Sequence, residues 1–222
     1  MAEIRSGLRH LLARPRLYDL FQHLVGAHAW RRNFVRAFVL PVLRKGGRVI
    51  DIGCGTGDLL QYLPRDISYV GFDRNDAYIA AARTRFAGRD ARFECKSVEP
   101  GSVAEPAFDV ALAIGLMHHL DDADALVLLE SAKGALTDAG FLFLLDPVLV
   151  AGQSRLARFV VSKDRGQNVR TLEANIDLCR RVFPFVRYSV DMHPILIPYT
   201  GIVITCSSKA FAPEEPLLKK SA

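Results

Sequence analysis

The sequence predicts a doubly wound α/β fold: a mostly parallel sheet covered by helices on both faces, with an antiparallel hairpin at one edge. Three observations lead there. From residue 48 onward, short apolar runs alternate with helix-like segments. The strands are largely apolar, as in a parallel sheet covered on both faces. The first run ends in a glycine cluster that leads directly into a helix-like segment, the arrangement of a strand–loop–helix unit.

Each element follows in order. Arg48–Ile52 is the first strand, and residues 68–73, 90–95, 108–114 and 140–146 are the next four. Helices are expected near 57–64, 75–87 and 121–136, and right-handed crossovers then wind them onto both faces. A further helix is expected over 168–181. Two β-like runs follow near 185–191 and 199–207, joined by a proline-containing loop, and complete a seven-stranded sheet as an edge hairpin. Upstream, Ile4, Leu8, Leu11 and Leu12 sit at helical spacing until Pro15, and residues 17–44 carry one or two more helices, stopped by Lys45-Gly46-Gly47. The organisation is a helical N-terminal arm over 1–44 and one compact domain over 45–222.

Composition agrees. The chain has 222 residues, half of them hydrophobic and 24% charged, which suits a single globular unit that needs no disulfide or metal to hold a core. Cys54, Cys95, Cys179 and Cys206 are far apart with no CxxC spacing, so a zinc cluster is disfavoured and a reducing, cytoplasmic setting is expected. The longest apolar stretch, residues 139–151, is broken by Asp146-Pro147, too short for a spanning helix. The N-terminus has no secretory apolar core. It is arginine-rich enough to suggest a transit peptide, but it runs directly into structured-looking sequence. Residues 1–48 hold nine Arg and one Lys against one Asp and one Glu, a net of +8 in a chain of net +5. This basic arm is either a solvated helix face or a surface drawn to an acidic substrate, an RNA or an anionic membrane, so peripheral membrane contact by the arm stays open.

The strongest motif is Val49-Ile-Asp51-Ile-Gly53-Cys54-Gly55-Thr-Gly57-Asp58. Glycines let the backbone approach a ligand closely, and the helix beyond offers free N–H groups. An acid precedes the loop, and Asp73 lies twenty residues after Gly53 at the end of the second strand, where a carboxylate can accept from both ribose hydroxyls. The spacing is GxGxG. Asp58 occupies the position at which a dinucleotide loop needs a small residue. A carboxylate there would repel a pyrophosphate and tolerate a sulfonium or an ammonium.

With these motifs, the chain resembles the class I S-adenosylmethionine-dependent methyltransferases, specifically over about residues 45–150. The resemblance implies a Rossmann-like sheet and S-adenosyl-L-methionine as cofactor. It implies that Asp51 and the loop of Gly53, Cys54, Gly55 and Gly57 hold the methionine end, and that Asp73, flanked by Phe72 and Arg74, holds the ribose. The family usually carries an adenine-binding acid after strand three. Ser97 stands there instead, with the Val98 N–H beside it. After strand four, Gly115-Leu-Met-His118-His119-Leu-Asp-Asp122 is similar to the His-His-Leu segment of small-molecule methyltransferases. The Asp/Asn-Pro-Pro-Tyr/Phe segment of nucleic-acid amino-methyltransferases is absent, which disfavours a nucleic-acid substrate. Tyr18 through Arg32 resembles the arm of quinone-biosynthesis C-methyltransferases, which implies that Tyr18 and Arg31 close over the methionine carboxylate. The alternative for that arm is structural: Trp30, Phe34 and Phe38 as a helix stripe packed on the sheet.

A hydroxyl or carbon acceptor needs a base. His119 and His118 sit at the ligand edge of the sheet, and Asp146 ends strand five on the same edge, so these three are the candidate catalytic groups. His118 and His119 with Asp121 and Asp122 do not suggest a metal site, because adjacent residues rarely converge on one ion. Between strand five and the next helix, Gly152 and Gly166 could hinge a lid, and Lys163, Arg165 and Arg170 either meet an acidic substrate or are surface charge. His193 and Tyr199 lie near the final hairpin, His193 reading as a loop residue. Two functions of different class follow. One is a methyltransferase acting on carbon, oxygen or nitrogen of a small molecule, with lipophilic or aromatic metabolites favoured by the positive mean hydropathy. The other is a non-catalytic cofactor-binding partner or regulatory module. A nicotinamide oxidoreductase ranks third because of Asp58.

Overall fold

The computed structural model describes residues 26–102, 107–162, 166–192 and 194–211. Seven strands form one sheet: β1 Arg48–Ile52, β2 Ser68–Asp73, β3 Ala91–Cys95, β4 Phe108–Ile114, β5 Leu136–Pro147, β6 Phe185–Asp191 and β7 Gly201–Ser207. Their order is β3-β2-β1-β4-β5-β7-β6. β1 to β5 are parallel, and β7 runs antiparallel to both β5 and β6. The strand order reverses between β1 and β4, so the crevice beyond their carboxyl ends is the expected ligand site.

The central strands β1, β4, β5 and β7 are buried on both faces, which is why they lack alternation. Ile50, Ala111, Ala113, Leu142, Leu144, Ile202 and Ile204 face one apolar layer, under α3 (Asp122–Ala135) and α5 (Leu172–Val182). Val49, Val110, Leu112, Phe143, Leu145 and Val203 face the other, under α2 (Asp76–Arg85) and α1 (Ala27–Phe34) with its continuation over Val35–Val39. The stripe of Trp30, Phe34 and Phe38 packs as a stripe should. Phe34 meets Phe38 and, edge-on, Phe143, while Trp30 meets Tyr199. Asp121 caps α3 by accepting from the Asp124 N–H, and Asn75 and Thr171 do the same for α2 and α5.

Three elements differ from expectation. The helix expected over 168–181 begins only at Leu172, after its Thr171 cap. The helix expected over 57–64 is a single 3-10 turn, Asp58–Tyr62. Leu63 is extended and Pro64 follows, a residue that disfavours helix at the position before it. β5 begins four residues early, at Leu136, because α3 runs into it directly. Phe108 pairs with Leu136 and Val110 with Phe141, so residues 137–140 bulge out of the ladder.

The segment between β5 and α5 is an excursion from the ligand edge. Leu149 and Thr171 bridge to each other at its base. The Leu149 N–H donates to Arg170 O and the Leu172 N–H to Leu149 O. Within it lies α4, Arg155–Ser162.

Candidate active site

The loop after β1 is held from below by the sheet. The N–H groups of Gly53 and Cys54 both donate to Phe72 O at the end of β2, at 2.7 and 2.9 Å. Gly53 and Gly57 have φ of 77° and 72°, a region that side chains rarely adopt. Space forbids a side chain there as well. A Cβ on Gly53 would lie 2.8 Å from Leu116, and one on Gly57 2.9 Å from Phe93. Leu116 belongs to the turn after β4, so that turn rests directly on the glycine loop.

Asp51 lies under the loop and is 2% exposed. Tyr69, on the neighbouring strand, donates its hydroxyl to Asp51 Oδ2 at 2.6 Å. Gly71 is the residue paired with Asp51 in the register. Among the described residues Asp51 Oδ1 has no partner, a costly state for a buried carboxylate oxygen. Burial pushes the Asp51 carboxyl up to about 7; Asp73 adds to the rise, while the Tyr69 hydrogen bond and Arg31 oppose it. Burial also pushes the Cys54 thiol far up, reinforced by Asp51 and Asp73, so that sulfur stays a neutral packing group.

Asp73 ties the site together. Its Oδ2 accepts from the Gly55 N–H at 2.9 Å and its Oδ1 from the Asn75 N–H at 2.8 Å. Arg74 and Ser97 are exposed, whereas Val98 is buried in the core beside Phe72. Gly115, with φ 67°, starts the β4 turn and donates to Leu145 O.

Asp58 corrects the electrostatic argument drawn from the sequence. Its carboxylate does not stand unopposed at the loop. Arg31 and Arg85 pair with it at 3.4 and 3.2 Å, His28 Nδ1 lies 3.2 Å away, and Gln61 Nε2 donates to it at 2.6 Å. The acid fastens α1 and α2 to the loop. Among the described residues, the buried carboxylate oxygen left without a partner is Asp51 Oδ1. Arg31 accordingly sits on Asp58 while remaining close enough to act on Asp51. Tyr18, Lys163, Arg165 and His193 lie outside the described residues, as does the helix expected over 3–14.

The turn Met117–His119 carries the histidines. His118 is buried and its Nδ1 lies 2.5 Å from Asp146 Oδ1. Asp146, also buried, accepts from the N–H groups of His118 and Met117 at 3.1 and 3.3 Å. This places the carboxylate rigidly against the imidazole. His119 is half-buried and its ring lies 4.1 Å from that of His118. The excursion closes over this turn. The Asn168 N–H donates to His118 O, and Arg170 donates to Met117 O, Leu120 O and Asp122. With 8% of its side chain exposed, Arg170 is a clamp for the turn rather than a surface charge. Sequence reasoning missed Tyr69, the role of Asp58 and this clamp. Gly71 inside an apolar strand was the available signal for the first.

Gly166 lies against His118 so closely that a Cβ would fall 2.1 Å from His118 Cδ2 and 2.4 Å from its carbonyl oxygen. Gly166→Ala is therefore expected to lower stability by ~1–3 kcal/mol through overpacking. A thermal melt indistinguishable from that of the parent would refute this contact.

With fold and geometry in hand, the comparisons are specific. Residues 50–142 match the family model of the methyltransferase domain. A ubiquinone biosynthesis O-methyltransferase of Sinorhizobium medicae is 35% identical over 83 residues, covering 36% of this chain and 34% of that one. A ubiquinone/menaquinone biosynthesis C-methyltransferase of Geobacter sulfurreducens is 28% identical over 121 residues, 49% of this chain and 46% of that one. The chain thus spans about a third to a half of the length of these curated relatives. Among solved structures, the plantazolicin methyltransferase BamL, in complex with a triazolic desmethylPZN analog and SAH, superposes with a TM-score of 0.65 at 17% identity, covering 87% of this chain and 90% of that one. Residues 50–142 are thus similar to a methyltransferase domain, and the chain has the fold of solved S-adenosylmethionine-dependent methyltransferases.

Proposed function

We propose that this protein transfers a methyl group from S-adenosyl-L-methionine to a small-molecule acceptor. The observation that carries the reading is Asp51: a buried carboxylate with one oxygen satisfied by Tyr69 and the other unmet by any described residue, beneath a glycine loop. An ammonium group answers that oxygen, and a pyrophosphate does not. Asp51, Gly53, Cys54, Gly55, Gly57 and Arg31 would hold the methionine end. Asp73 and Arg74 would hold the ribose, with Ser97, Val98 and Gly115 bordering the adenosine. When bound, the cofactor supplies an electrophilic methyl on a sulfonium.

On the acceptor side, the proposed base is His118. With its Nδ1 against Asp146, the favoured neutral tautomer carries the proton there and leaves Nε2 as the basic nitrogen. A hydroxyl acceptor would give its proton to Nε2 as it takes the methyl group that the bound cofactor would supply. Asp146 stabilises the imidazolium so formed. His119, its ring tilted 39° against that of His118, would border the acceptor. The four unpaired cysteines support a reducing, cytoplasmic setting.

The test is calorimetric titration with S-adenosylmethionine, S-adenosylhomocysteine and NAD. Binding of the adenosyl pair and no response to NAD is expected; binding of NAD alone would overturn the reading. Its pH dependence is also set by Asp51. A buried acid with a raised pKa favours the fold in its protonated form, a contribution that fades as pH climbs from the ordinary carboxylate range through about 7. An ammonium beside Oδ1 favours the ionised form. Affinity should therefore rise between roughly pH 6 and pH 8, with a proton released to buffer near neutrality. Heats that do not change between buffers of different ionisation enthalpy would remove Asp51 from the ammonium site.

A further inference from the structure

The described residues expose six large hydrophobic side chains, and three of these are more than half exposed: Leu156 and Phe159 at 58% and Leu196 at 80%. All three belong to the ligand edge of the sheet. Leu156 and Phe159 are on α4, inside the excursion that leaves and rejoins this edge at the Leu149–Thr171 bridge. Leu196 is in the β6–β7 connection, which enters β7 at Gly201, opposite Pro147 at the end of β5. It packs against Gly26 at the start of α1.

α4 is two-sided. Ala157 and Val161 are buried against the protein, while Leu156 and Phe159 lie one turn apart on the outside. Arg155 and Arg158 are exposed beside them, and α4 carries no acid. Apolar side chains directed outward between arginines suit the boundary between lipid headgroups and acyl chains, where each basic residue near an anionic leaflet adds attraction. The sequence places further positive charge in the N-terminal arm, +8 over residues 1–48. α1, the described part of that arm, meets the same edge through Trp30, whose ring leaves room for no side chain on Gly201.

We infer that this rim, formed by α4 and the loop carrying Leu196, docks the protein on an anionic phospholipid surface, with the mouth of the site turned toward the bilayer. No helix among the described residues is long and apolar enough to cross a membrane, so the contact is peripheral. An acceptor that partitions into the interface would then reach the site without crossing water. The identity of the edge as the mouth of a methyl-transfer site rests on the proposed function; the lipid contact does not.

The experiment is co-sedimentation of the full chain with vesicles of equimolar phosphatidylcholine and phosphatidylglycerol, against phosphatidylcholine alone. Binding to the mixed vesicles alone is expected, weakening as salt is raised. Leu156→Ser with Phe159→Ser should weaken it about tenfold or more, and Arg155→Gln with Arg158→Gln should do so by about tenfold. These side chains are exposed, so melting temperature and cofactor titration should stay at parental values. Equal sedimentation with and without vesicles would overturn the inference, as would a Leu156→Ser/Phe159→Ser variant that binds like the parent. Concentration-dependent self-association abolished by that variant, without vesicle binding, would make the rim a contact between copies and equally overturn it. Vesicle binding in a protein that binds no adenosyl cofactor would separate failure of the proposed function from failure of this inference.

Discussion

Replacing His118 with alanine is expected to slow methyl transfer by roughly 10²–10⁴-fold while leaving cofactor affinity unchanged. The two adjacent histidines are alike in sequence and unlike in structure. His118 has a carboxylate fixed against its ring nitrogen, and that carboxylate is itself fixed by two backbone N–H groups. Asp146→Asn keeps the size of the group but offers an amide where the imidazole N–H must be accepted. It should therefore lower the rate and flatten its rise with pH, since the basic tautomer is no longer selected. His119→Ala serves as the comparison and should cost much less. If His119→Ala abolishes turnover while His118→Ala preserves it, the roles reverse. Melting curves and cofactor titration of each variant distinguish lost chemistry from a collapsed turn.

The second large effect concerns the cofactor. Asp73→Ala should weaken S-adenosylmethionine binding at least tenfold. A carboxylate that accepts from ribose hydroxyls makes charged hydrogen bonds of ~1.5–3 kcal/mol each. The same change also releases Gly55, whose N–H now donates to Asp73, so the loop loses an anchor as well. Asp73→Asn retains one acceptor for Gly55 and removes the charge, so it should fall between alanine and the parent. Titration of the three proteins reads both contributions. Equal affinity in all three would place the ribose elsewhere.

The strands were legible because a doubly wound sheet buries both faces, and the runs ending at Ile52, Asp73, Ile114 and Asp146 could be read as apolar stretches without any knowledge of partners. The glycine loop and Asp73 were legible because backbone conformation and spacing are local properties. What stayed hidden was pairwise. Nothing near Asp58 in the chain announces Arg31 and Arg85, each 27 residues away. The loop acid therefore read as a bare charge, when it is a fastener between helices. Arg170 looked like surface charge because its three carbonyl and carboxylate partners lie about fifty residues upstream. The choice between His118 and His119 depended on where one turn of 3-10 helix directs two neighbouring rings, which spacing does not encode.

The pinch between Leu149 and Thr171 makes everything beyond it a replaceable cassette. Because its two ends are already joined, the sheet does not depend on the cassette's length, and doubling a closed flexible loop costs only about 0.6 kcal/mol. The length of this segment can therefore change while the sheet and the loop after β1 stay in place. Any replacement must still reproduce Gly166, Asn168 and Arg170, which seat the histidine turn, and the packing of the buried Ala157 and Val161.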